Sequence, residues 1–165
     1  MDPKSPLEQI LFAAQPGMPP DAIKAWWPPD TAWLQREASI LAPSRAIAPF
    51  AHVEYKLMAG VLYNVKLVTT RACDYTTGFA ALTNEMQAAF PSIAQWTDTL
   101  GRPFSLADAR SRLEGKGNAK VMMAVPIGGD VPGMGTLSGK AVAFNRDGSQ
   151  YYGFELFWRL GGYPA

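Results

Sequence analysis

The stretch "YYGFELFWRL", Tyr151 to Leu160, constrains this chain more than any other. Read as a β-strand, it places Tyr152, Phe154, Leu156, Trp158 and Leu160 on one face. Five large apolar side chains in a row must face a core, because an exposed stripe of that kind would drive aggregation. The opposite face carries Tyr151, Glu155, Phe157 and Arg159. Upstream, Asp147-Gly148 sits between this strand and "KAVAF". Asp-Gly between apolar runs is among the strongest short hairpin signals, since both turn residues must take positive φ.

Two further strands are legible. "VLYNVKLVTT", 61–70, is rich in β-branched residues, with Tyr63, Val65, Leu67 and Thr69 on one face. "NAKVMMAVPI", 118–127, reads as another. Elsewhere helical signals dominate. Ser5, Pro6 and Glu8 form a helix start, and Leu7, Ile10, Leu11 and Ala14 follow at helical spacing. Asp21 caps a short turn. Asp30 or Thr31 opens a helix over 32–41, and the spacing of Phe50, Val53 and Leu57 favours another over 46–58, although Val53, Tyr55 and Leu57 fit a strand equally well. Helices are also predicted from Thr76 to Phe90, over 92–100, and from Ser105 to Gly115.

These elements predict a single α+β domain over 1–165. Its N-terminal helices would pack on a small, mainly antiparallel C-terminal sheet of about four strands. Residues 16–30, with Trp26-Trp27-Pro28-Pro29, read as a proline- and tryptophan-rich arm. With 48% apolar residues, the chain has material enough for a core. A formal net charge of +1 gives no clear nucleic-acid signal. The run Arg102, Arg110, Arg112, Lys116 and Lys120 reads as a solvated face near a helix C-terminus.

Catalytic templates fail in turn. Cys73 and His52 are the sole cysteine and histidine, so neither a disulfide nor a Cys/His zinc site can form within one chain. His52-Val53-Glu54 has the H-x-E of zinc deaminases but lacks the downstream P-C-x-x-C. The glycine-rich "IGGDVPGMGTLSGKA", 127–141, misses the phosphate-loop pattern, with Met134 where a glycine belongs and Ala141 where a hydroxyl belongs. It therefore reads as a mobile connection between strands. No cofactor is implied. No apolar run reaches the length of a membrane span, and "MDPKSPLEQ" is not a signal peptide. The cytoplasm is the favoured compartment, with an exported or envelope-anchored form lacking its signal as the alternative.

The expected function is a non-enzymatic protein–protein interaction module: an adaptor, an immunity-type inhibitor or a component of a secretion or envelope assembly. Its partner is another protein. Trp26 and Trp27 supply stiff amphipathic anchors, and Met134 and Lys140 mark the glycine-rich segment. The alternative is a small-ligand binder or enzyme with a pocket of His52, Tyr151, Glu155 and Phe157 on the helix-backed sheet.

Overall fold

In the computed structural model, residues 3–118 and 120–160 are described. Positions 1–2 and 161–165 of the expected domain lie outside them, as does residue 119 of the strand expected over 118–127. Short helices α1 (Pro6–Ala13) and α2 (Pro20–Lys24) come first, followed by β1 (Trp33–Arg36), β2 (Ile40–Pro43), β3 (His52–Met58) and β4 (Val61–Ala72). A π-helical turn, Tyr75–Phe79, runs into α3 (Ala80–Ala89). Next are β5 (Trp96–Thr97), α4 (Leu106–Ser111), β6 (Met123–Val131), β7 (Gly135–Arg146) and β8 (Ser149–Leu160).

All eight strands join one antiparallel sheet in the order β1-β2-β3-β4-β8-β7-β6-β5. This overturns the expected fold class: strand makes up 41% of the described residues and helix only 22%, so the sheet is the scaffold and the helices are its lining. Three local misreadings produced the error. The helix expected over 32–41 is the β1–β2 hairpin, whose turn residue Glu37 has φ of 58°. Four-residue strands are too short to display an alternation, so chance helical spacing prevailed. Over 52–58 the alternation of Val53, Tyr55 and Leu57 decides, and each is buried on the sheet. Over 92–100 the chain forms β5 and its flanking turns, with Trp96 in the core.

The glycine-rich segment is corrected too. Most of it belongs to β6 and β7, with only 132–134 as the connection. Four of its glycines, Gly128, Gly129, Gly135 and Gly139, serve close approach. A Cβ on Gly129 would lie 2.6 Å from the Ile93 Cγ2, and one on Gly139 would strike the Glu155 carbonyl. The Asp147-Gly148 turn forms as expected, with φ of 53° and 81°.

The core lies between one sheet face and the helices. Phe12 of α1 stacks on Trp158 at 5.8 Å, and Phe79 stacks on Tyr152 at 4.5 Å. Leu82 and Met86 of α3 and Leu106 and Ala109 of α4 complete it. The Ser5 hydroxyl caps α1 by accepting from the Glu8 amide, and it donates to the Ala89 carbonyl at 2.6 Å. Glu8 itself is fully buried and accepts from Lys4 N, Ser92 N and Ser92 Oγ. That carboxylate ties the first helix to the segment after α3. Residues 16–30 are packed down in part, with Ile23 and Trp27 in the core.

Candidate functional site

The helices line one face of the sheet; among the described residues the other face carries half-buried and exposed side chains, with Met122 and the segment around β5 at its margins. Along β8 it presents Tyr151, Gly153, Glu155, Phe157 and Arg159, alternating with the buried stripe. The register sets their neighbours: Tyr151 pairs with Ala72 and Phe144, Gly153 with Thr70 and Val142, and Glu155 with Val68 and Lys140. Phe157 pairs with Lys66 and Ser138, and Arg159 with Asn64 and Thr136. His52 lies beside Val68 on β3.

Gly153 brings no side chain to this face, and both it and Val142 opposite are buried among their neighbours. A Cβ on Gly153 would strike the Thr69 carbonyl, so β4 and β8 approach too closely for any other residue. Around it lies a depression of about 340 Å³ lined by His52, Val68, Thr70, Tyr151, Glu155 and Phe144, with Met122 and Arg146 at one end. Phe144 and Tyr151 stack face to face at 5.1 Å, and the Arg146 guanidinium sits 5.3 Å from the Phe144 ring. Lys66 stands 5.9 Å from the Phe157 ring. Glu155 is 3.9 Å from Lys140, a half-exposed pair of small energetic worth.

A larger cavity, about 650 Å³, opens where β5, β6 and β7 meet. Its polar lining includes Thr97, Asp98, Asp130, Thr136 and Ser138, and Gly128 leaves its floor open. Asp130 accepts from the Thr136 hydroxyl at 2.9 Å. At Asp98, partial desolvation works against ionisation. The Arg102 and Leu100 amides and the Arg102 guanidinium outweigh it and hold the carboxyl below the ordinary carboxylate range.

The expected site residues therefore divide. His52, Tyr151 and Glu155 come together in the Gly153 depression, with Phe157 beside it on the same face. Trp26, Trp27, Met134 and Lys140 do not form one surface. Trp26 is 57% exposed, but Trp27 is buried and donates from Nε1 to the Tyr55 hydroxyl at 2.9 Å. Burial pushes that phenol far above its usual pKa, so it stays neutral. Met134 is half-buried against the core, and Lys140 belongs to the open face. Sequence reasoning missed Thr70, Val68, Phe144 and Arg146, which reach the site only through strand pairing. Gly153 carried a usable signal, a glycine inside an otherwise bulky strand.

His52 projects from the open face, whereas Cys73 packs against the core, where burial raises its thiol pKa. The two cannot act as base and nucleophile. Among the described residues no group of three or more His, Cys, Asp or Glu could hold a metal ion, and no helix is long and apolar enough to cross a membrane. The chain matches no protein-family profile, no curated protein and no solved structure.

Proposed function

We propose that this chain is a non-enzymatic protein-binding module and that the open face of its sheet is the binding surface. One observation carries the reading: β8 presents Tyr151, Glu155 and Phe157, all half-buried, on the face opposite the helices. Large aromatics beside charges, on a flat rigid scaffold, are the composition of a protein interface. The acids on this face are already engaged, Glu155 by Lys140 and Asp130 by Thr136, which suits recognition better than proton transfer. A cytoplasmic setting fits the lone, unpaired cysteine.

A photo-crosslinking amino acid placed at Tyr151, with the same probe at Trp26 as a control, tests the reading in cells. Protein adducts at 151 and none at 26 support it. Adducts at 26 alone would move the interface to the N-terminal arm.

A second reading rests on the Gly153 depression, which gathers His52, Thr70, Tyr151 and Glu155 in a volume within the range of small-ligand sites. Thr70→Phe would fill it. A metabolite whose stabilising effect on the wild-type protein disappears in that variant would favour a ligand over a protein.

A further inference from the structure

We propose that the open face binds a second copy of this chain, about a two-fold axis running along the seam between β7 and β8. The inference deepens the protein-binding reading and rests on it. Its basis is the register across that seam, where complementary residues face each other: Tyr151 beside Phe144, and Glu155 beside Lys140. An axis laid along the seam, in the plane of contact, carries β8 of one copy over β7 of the other at the same height. Glu155 then meets Lys140 of the second copy, and Lys140 meets its Glu155. Tyr151 and Phe144 exchange in the same way. A two-fold contact requires a surface complementary to itself, and the seam supplies it.

Charge further from the seam points to the same occupant. On the β3–β4–β8 side Lys56, Lys66 and Arg159 outnumber the one acid there, Glu54, which stands opposite Lys66 and is held by Arg36 at 3.8 Å; among the described residues no salt bridge engages the three cations. On the β5–β6–β7 side, the larger cavity is lined by Asp98, which Arg102 already pairs at 2.8 Å, and by Asp130, which among the described residues has no cation partner. The axis sets β4 over β6 and β3 over β5. Lys66 then stands above Gly128 of the second copy, at the open floor of that cavity, and Arg159 above its Thr136. Asp130 falls among Lys56, Lys66 and Arg159. Stacked sheets cross at roughly 30°, so the match is closest at the seam, and the long lysine and arginine side chains take up the divergence at the rim.

The area suffices for a modest dimer. The patch extends about 27 Å along the strands and about 19 Å across them, so each copy buries about 500 Å², near the lower bound for a specific contact. Nucleic acid fits less well. The Phe144 and Phe157 rings already have cations over them, and the acid-lined cavity would repel phosphates.

Sedimentation equilibrium of the purified chain from about 1 µM to about 1 mM tests the proposal. The wild type should dimerise, and more weakly as salt rises. Glu155→Lys alone and Lys140→Glu alone should each weaken self-association about tenfold or more, because each puts like charges across the axis twice. Mixing the two variants should restore a dimer, since each then meets its complement. Dimerisation that neither variant weakens, or a mixture that stays monomeric, overturns the proposed axis. A wild type monomeric at every concentration overturns self-association itself. If crosslinking at Tyr151 still captures another protein in that case, the protein-binding reading survives with a different partner.

Discussion

The two faces of β8 share one backbone and nearly one composition, yet they behave as different materials. Toward the helices, Tyr152, Phe154, Leu156, Trp158 and Leu160 are almost completely buried and touch partners from α1, the π-helical turn and neighbouring strands. Away from them, Tyr151, Glu155, Phe157 and Arg159 rest on the sheet itself, and their contacts are cations, rings and an ion pair. Aromatic content does not distinguish the core face from the open face. The presence of a covering layer does.

The contrast can be broken most directly at Trp158. Trp158→Ala should cost about 3–5 kcal/mol, since it empties the space under Phe12. Phe157→Ala should cost well under half of that. Urea denaturation of both compares them, and equal losses would mean that the open face is as firmly packed as the core. Next in size is Glu8→Ala, which leaves the Ser92 amide and hydroxyl unpaired beside the core and should cost about 1–3 kcal/mol. A thermal melt with no shift would show that the buried carboxylate is dispensable.

A smaller effect is expected at Asp74. The Thr77 hydroxyl and amide, the Thr76 hydroxyl and the Gly78 amide hold its carboxyl well below the usual range. A depressed folded-state pKa contributes stability that is present above the unfolded value and lost as pH falls toward the folded one. Stability should therefore decline on acidification below about pH 4, and Asp74→Asn should flatten that decline. Chemical denaturation across that range reads the slope, and identical slopes would exclude Asp74 as a contributor. The least change is expected for Lys140→Ala, within about 0.5 kcal/mol by calorimetry, because its ion pair is half-exposed. A large loss there would reveal a structural role for the pair.

What the sequence made legible was local. The alternation in β8, the Asp-Gly turn and the helix start at Ser105 each act over a few residues, and each forms. The β1–β2 hairpin was hidden because its strands are four residues long and Leu34, on the outermost strand, is 52% exposed, so no burial pattern marks it. The site was half legible. Tyr151, Glu155 and Phe157 fell on one face by period alone, but His52 joins them through two strand pairings that no local signal encodes. Glu8 was read as part of a cap, while its burial against Ser92 depends on a contact 84 residues away.

The strand order also sets a timetable. Of the eight strands among the described residues β8 comes last in sequence, yet it sits at the centre of the sheet and is hydrogen-bonded to β4 on one side and β7 on the other. During synthesis the β1–β4 ribbon and the β5–β7 ribbon emerge first and cannot be joined until the final strand leaves the ribosome. Folding is then an insertion event with long loop closures, a slow class of transition. A released chain that lacked β8 would carry two sheet halves with facing open edges, the kind of intermediate that chaperones hold. The same arrangement makes β8 the natural cut point for a split version of this protein, restored by a single added strand.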